Sequence, residues 1–274
     1  MPDVVAAQED APAFDAQAAG YDARTGLPPG VGEAVARAIV RLAGVGAEHL
    51  VLELGAGTGE IGAHLATLAP RYLGLDISPA MLEVFRARAL PHAPALLVAD
   101  VDAPWPVPEA SVHVIFASRM IHLVHPGHVA HEATRVCPPG GSIMLGRVSR
   151  APESLKERLR RRRQHLLRDH GIQPRAGEAG SRQVIARLVQ SGWVDQGRQR
   201  VAAWSGDIST GEIIAAWEAL SRMGSVDVDR ALRERILSEI RAWAAHEFGD
   251  FDHPWPFHEE YILDIAQRPE RRQA

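Results

Sequence analysis

Val51–Glu60 reads VLELGAGTGE, and this stretch decides the fold. Leu50–Leu54 is a short apolar run carrying one acid, and the chain then turns through Gly55, Ala56, Gly57, Thr58 and Gly59 into a helical pattern. A strand that ends in glycines and opens a helix leaves bare backbone at the carboxyl edge of a sheet, where ligands of doubly wound α/β folds bind. Glycine allows both the tight turn and the close approach. A dinucleotide loop reads G-x-G-x-x-G, but here the last glycine, Gly59, comes one residue early and Glu60 stands in its place. Glu53 is a second departure, because an acid two residues before Gly55 repels a pyrophosphate and suits a cationic aminoacyl end.

Outward from the loop, short apolar runs alternate with helical patterns. The runs Leu50–Leu54, Tyr72–Asp76, Ala95–Ala99, Val112–Ala117 and Ser142–Arg147 predict strands. Helices are expected at Gly32–Ala43, Ile61–Ala69, Pro79–Ala89 and Gly127–Val136, the third opened by Ser78 as N-cap and Pro79 at the first helical position. Such alternation predicts an α/β fold, a Rossmann-like, seven-stranded, mostly parallel sheet with helices on both faces and a helical cap. After Arg147 the pattern turns helix-rich: Pro152–His170, an irregular Gly171–Gly180, then a helix over Ser181–Gly192. Trp193–Trp204 and Glu260–Gln267 read as strands, with helices at Thr210–Arg222 and Val228–Phe248 between them. The expected organisation is an N-terminal cap over 1–48, a ligand-binding core over 49–150, and a lid insertion returning to the sheet over 151–208. A helical cap insertion then covers 209–256, and the last strand and tail 257–274.

Two more acids extend the ligand reading. Asp76 closes the second strand, nineteen residues after Gly57, where a carboxylate can accept from both hydroxyls of a ribose. Asp100 follows the third strand, where it can accept from an adenine amino group beside Val101. S-adenosylmethionine has an adenosine, an ammonium and no phosphate, so the three acids and the early glycine suit it better than a dinucleotide.

The motifs ELGAGTG, LGLDISPAM, VADVDAPWPVP and HVIFASRMIHLV resemble, in this order, the class I S-adenosylmethionine-dependent methyltransferases, in particular the small-molecule type 11 group. The likeness covers about residues 14–148, and FDAQAAGYDARTGLPP resembles that group's cap segment, in which the residues matching Tyr21 and Arg24 close over the ligand. It implies cofactor contacts at Tyr21, Arg24, Glu53, Gly55, Ala56, Gly57, Thr58, Gly59, Asp76, Ile77, Met81, Asp100, Val101 and Ser118. It also implies methyl transfer to O, N or C of a small molecule, leaving S-adenosylhomocysteine. The family's aspartate-rich turn before the fourth strand is here APWPVPEAS, whose Trp105 and Pro106 are read as surface packing.

In-line methyl transfer from a sulfonium needs positioning and water exclusion above all. A base helps when the acceptor must lose a proton, and His122, with His125 a weaker second, follows the fourth strand at the right edge. The spacing of His122, His125, His128 and His131 invites a metal, but Pro126 and Gly127 interrupt the helix and no metal is expected. The single cysteine, Cys137, is expected to be structural. A net charge of −4 gives no global reason to bind nucleic acid or an anionic membrane. The run KERLRRRR over Lys156–Arg163 reads as a solvated helix face. An RNA or protein methyltransferase docking through that run, or a non-catalytic regulator that binds the cofactor, are the alternatives. No leader or apolar span is visible, and a cytoplasmic protein is expected.

Overall fold

The computed structural model describes residues 14–15, 18–173, 177–220, 223, 226 and 228–270. Parts of the expected cap (1–13 and 16–17), loop (174–176), helix end (221–222) and tail (271–274) lie outside these residues. The strands are β1 (Leu50–Leu54), β2 (Arg71–Asp76), β3 (Ala95–Val98), β4 (Val114–Ser118), β5 (Ser142–Arg150), β6 (Val194–Ile208) and β7 (Trp255–Gln267). They form one seven-stranded sheet in the order β3-β2-β1-β4-β5-β7-β6. β1 pairs in parallel with β2 and β4, Val51 opposite Tyr72 on one side and Val114 on the other. β3 and β5 extend the parallel set outward. β7 runs antiparallel to β5, since Arg268 N–H donates to Gly141 O at 2.8 Å while Glu259 meets Arg150 at 2.7 Å. The order reverses between β1 and β4, and a crevice opens at the carboxyl ends of strands at such a switch point.

The helices are α1 (Tyr21–Thr25), α2 (Val31–Leu42), α3 (Gly62–Leu68), α4 (Pro79–Arg86), α5 (Pro126–Val136), α6 (Leu155–Asp169), α7 (Gly177–Gln190), α8 (Thr210–Glu218) and α9 (Arg230–Phe248). The chain divides into two compact units, Met1–Arg147 with Gly177–Ala202 and Tyr261–Ala274, and Val148–Ala176 with Ala203–Glu260.

The first unit's core joins Leu52, Leu54, Leu75, Ile115 and Ile143 of the strands to Val129, Val136, Val184 and Leu188 of α5 and α7. β1 is buried from Val51 to Leu54, as a central parallel strand covered on both faces must be. Trp105 is a correction to the expected surface packing, being 2% exposed. Its Nε1–H donates to Val101 O at 2.9 Å and its backbone N–H to Glu132 Oε2 at 2.7 Å, so the turn before β4 hangs on a buried indole. Glu132 is held in turn by Arg135, whose guanidinium also donates to the carbonyls of Trp105 and Val107.

The second unit packs α6, α8 and α9 around Leu159, Leu166, Ile214, Ile236 and Ile240. Here the basic run departs from the expected solvated face. Lys156 Nζ lies 3.9 Å over Phe257, Arg158 lies 4.7 Å over Phe248 and Arg163 lies 4.3 Å over Trp217. Arg158 also pairs with Glu247, and Arg160 with Glu157. Long apolar stems and planar heads stack on aromatic faces, so the charges hold this unit together instead of facing outward as one docking surface. Trp243, Phe248 and Trp255 pack edge to face at 5.4 and 5.9 Å. β7 begins at Trp255, five residues before the expected start of the last strand at Glu260. No helix of the described residues is long and apolar enough to cross a membrane.

Candidate functional site

Four parallel strand ends and the glycine loop surround a solvent-open cavity in the first unit. Gly55, Gly57 and Gly59 all have left-handed φ, at 65°, 55° and 79°, but their surroundings differ. A Cβ on Gly55 would stand 2.9 Å from Met120 Cγ, and one on Gly59 only 2.3 Å from the Phe85 ring. On Gly57 it would meet nothing nearer than Gly55 O at 4.0 Å, so that position is open toward a ligand.

The loop is pinned from β2. Asp76 accepts the Gly57 N–H at 2.7 Å through one carboxylate oxygen and the Ser78 N–H at 2.9 Å through the other. Burial raises the Asp76 carboxyl above its ordinary range, against the lowering effect of these backbone donors. Glu53 lies deeper, 2% exposed, and accepts from the Tyr72 hydroxyl at 2.5 Å. Desolvation pushes the Glu53 carboxyl up to about 8, the tyrosine hydrogen bond opposes that, and the Asp76 charge adds to it. Gly62 opens α3 directly against this pair, for a Cβ there would fall 2.3 Å from Glu53 Oε2. Beyond β3, Asp100 accepts the Asp102 N–H at 2.8 Å, and Asp102 accepts the His125 N–H at 2.7 Å.

β4 ends in Ser118, whose Oγ is 2.6 Å from the Tyr261 hydroxyl of β7. The next residue, Arg119, has a left-handed φ of 55°. For a non-glycine residue this conformation costs roughly 1–2 kcal/mol, and such strain gathers at functional sites. The Arg119 guanidinium pairs with Glu60, and Glu60 also accepts the Leu27 N–H. Two further carboxylates fasten the N-terminal segment. Asp15 accepts from Ser78 Oγ at 2.5 Å, and Asp22 accepts from Thr58 Oγ1 and pairs with Arg88. The result puts Phe14 and Tyr21 on the cavity wall.

The methyltransferase-domain family matches residues 51–141 of this chain, from the start of the glycine loop's strand to the turn before β5. The protein-L-isoaspartate O-methyltransferase of Methylorubrum populi is 32% identical over 144 residues, 48% of this chain and 68% of that protein. The chain belongs to the class I S-adenosylmethionine-dependent methyltransferases. A malonyl-[acyl-carrier protein] O-methyltransferase of Serratia marcescens is 34% identical over 160 residues, and the match spans 57% of this chain and 58% of that relative's length. Among solved structures the [4+2]-cyclase SpnF shares the fold, with TM-score 0.60 and 15% identity over 96% of each chain.

Within this methyltransferase-family chain most residues implied by the resemblance line the one cavity: Tyr21, Glu53, Gly55, Ala56, Gly57, Thr58, Asp76, Ile77, Met81, Asp100, Val101 and Ser118. The donor set fits the family's cofactor, with buried or half-buried carboxylates and, among the described residues, no cluster of cations for a pyrophosphate. Four expected residues do not line it. Arg24 donates back to Ala19 O at 3.1 Å, within its own turn. Gly59 is held against Phe85, which makes it a packing glycine. His122 sits in the 3-10 turn Ile121–Leu123, and of that turn's residues it is Leu123 that lines the cavity. His125 precedes α5 with its backbone bonded to Asp102.

His128 Nε2 lies 2.9 Å from Ala103 O, and among the described residues no histidine, cysteine or acid cluster has a metal-holding arrangement. Burial raises the Cys137 thiol to about 12. Sequence reasoning missed Phe14, Glu60, Ile61, Asp102, Arg119, Met120, Leu123 and Val124 on the wall. It also missed Tyr72, which supports Glu53 from below. The available signals were the acid two residues after Asp100 and the charge directly after β4.

Proposed function

We propose that this protein transfers a methyl group from S-adenosylmethionine to a small-molecule acceptor. The observation that carries the reading is the set of three carboxylates, Glu53, Asp76 and Asp100, at the ends of β1, β2 and β3 on one cavity with the glycine loop. When bound, the cofactor supplies a methyl carbon on a sulfonium, open to in-line attack. Glu53 takes the ammonium, whose positive charge favours the ionised carboxylate against the burial that raises it in the empty site, while Asp76 takes the ribose hydroxyls and Asp100 beside Val101 the adenine amino group. Gly57 lets the backbone come close, and Ser118, Ile77 and Met81 fill the wall between them. Tyr21 and Phe14, tied down through Asp22 and Asp15, keep water from the reacting atoms.

The acceptor side belongs to Met120, Leu123 and Val124, an apolar stretch directly after β4. Oxygen is the acceptor atom we favour, because the relatives from Serratia marcescens and Methylorubrum populi are named as O-methyltransferases. No histidine lines the described wall, so the proposal gives no histidine the part of general base. An ionised oxygen acceptor needs none. Calorimetry with S-adenosylmethionine, S-adenosylhomocysteine and NAD tests the cofactor, and tight NAD binding without binding of either adenosyl ligand would overturn it. Labelled methyl transfer into a small-molecule extract tests the reaction, and label appearing only in RNA or protein would overturn the acceptor class.

A further inference from the structure

We propose that Arg119 recognises the α-carboxylate of the cofactor's aminoacyl end. The inference rests on the cofactor reading above. Along the sheet order β3-β2-β1-β4, the ligand-facing charges run Asp100, Asp76, Glu53, Arg119: three acids and then a base. Neighbouring strands lie about 4.8 Å apart, so each charge is one strand from the next. An amino acid carries its ammonium and carboxylate on one carbon. The group that receives the carboxylate must therefore neighbour the one that receives the ammonium. Glu53 of β1 has two neighbours, and on the β2 side stands Asp76, which repels a carboxylate. On the β4 side stands Arg119.

The rest of the wall leaves no other choice among the described residues. Its charged side chains are Glu53, Glu60, Asp76, Asp100, Asp102 and Arg119, one cation among five acids. Arg24, which the resemblance places in the cap segment, is exposed and donates to Ala19 O. Arg119 is also held where it is. Its backbone N–H donates to Gly146 O at 3.0 Å, its φ of 55° turns the side chain out of the strand path, and Glu60 grips the guanidinium beside the glycine loop. Glu60 is fixed in turn by the Leu27 N–H. A guanidinium carries five N–H donors in a planar fork, so it can bridge Glu60 and a ligand carboxylate together. Glu60 thus acts as the positioning residue for the arginine.

The test compares affinities for S-adenosylhomocysteine, its decarboxylated amine analogue and 5′-methylthioadenosine by calorimetry, in the wild type and in Arg119→Met, Arg119→Lys and Arg24→Met. The wild type is expected to prefer S-adenosylhomocysteine over the decarboxylated analogue by roughly 10–100-fold, the size of a charge-assisted hydrogen-bonded pair. Arg119→Met should bring that ratio close to one with methylthioadenosine affinity unchanged. Arg119→Lys should keep part of it, and Arg24→Met all of it. A full ratio in Arg119→Met overturns the assignment and points to an acceptor carboxylate as the group Arg119 meets. An equal loss for all three ligands overturns it in favour of a role in shaping the wall. If Arg119→Met fails to fold, the ratio in Arg119→Lys decides, and an unchanged value refutes the proposal. Failure of all three ligands to bind the wild type would instead sink the cofactor reading beneath it.

Discussion

Gly59→Ala separates the two roles that the glycine loop combines. The new Cβ would fall 2.3 Å from Phe85 Cδ2 and within 2.6 Å of two more ring atoms, and Phe85 is fully buried. The ring cannot step aside without displacing α4 from β2. Overpacking of this kind costs typically 1–3 kcal/mol, and holding a non-glycine residue at a φ of 79° adds roughly 1–2 kcal/mol. The sum is about 2–5 kcal/mol, or a fall in melting temperature on the order of 5–15 °C for a protein of this size. Gly57→Ala is the matched control. Its Cβ meets nothing nearer than 4.0 Å, so it bears only the conformational cost of about 1–2 kcal/mol. Its larger effect should be on ligand binding, because the methyl enters the cavity. Thermal and urea melts, paired with S-adenosylhomocysteine titrations, read both quantities. Equal stability losses in the two variants, or a Gly59→Ala protein that melts with the wild type, would refute the division of labour between these glycines.

Glu53 makes stability depend on pH in a stated direction. Its folded carboxyl titrates at about 8 and the unfolded one near 4.5, so between these values the native state holds the extra proton and stability falls as pH rises, levelling off above about 8. Glu53→Gln should flatten the melting-temperature profile across that window, and parallel profiles would contradict the burial argument. Asp76→Asn keeps one carbonyl oxygen for two backbone donors, Gly57 N–H and Ser78 N–H, and should weaken S-adenosylhomocysteine binding by about tenfold or more. Unchanged affinity would show that the loop is pinned elsewhere. Glu132→Ala strips the Trp105 N–H and Arg135 of their shared acceptor and should destabilise by about 2–4 kcal/mol in urea unfolding, whereas a surface pair would cost under about 1 kcal/mol.

The parallel half of the sheet was legible because its signals are local. Leu50–Leu54 is an apolar run stopped by a glycine turn, and the structure gives β1 those same bounds. Ser78 and Pro79 announced α4, and Ser78 Oγ does accept the Met81 N–H at 3.1 Å. The residues that escaped depend on where the chain returns. Trp105 looked like a surface residue because nothing near it in sequence reveals that α5 brings Glu132 under its backbone. The arginine run looked solvated because its partners, Trp217, Phe248 and Phe257, lie 54 to 101 residues downstream. β7 was expected to begin at Glu260, but Pro254 and Pro256 disguise its first residues as a loop. His122 has the right place after β4, but of the 3-10 turn Ile121–Leu123 it is Leu123 that lines the cavity. Nothing in MIHLVHP marks which of these neighbours faces inward.

A fold of this kind carries many chemistries, so the sheet alone does not specify the ligand. On the proposed reading the charges at its edge do, since each comes from a different strand and their sequence across the sheet is fixed by strand order. Slipping β2 by one residue would turn Asp76 to the opposite face and leave Gly57 without its acceptor, whatever the acceptor loop did. The acceptor wall has the reverse dependence. Met120, Leu123 and Val124 follow β4 on a short 3-10 turn, and their changes leave Glu53, Asp76 and Asp100 where they stand. Met120 is the exception, because it packs on Gly55, the first residue of the cofactor loop. It couples the two halves, so Met120→Ala should alter cofactor and acceptor affinity together, while Leu123→Ala should alter the acceptor's alone.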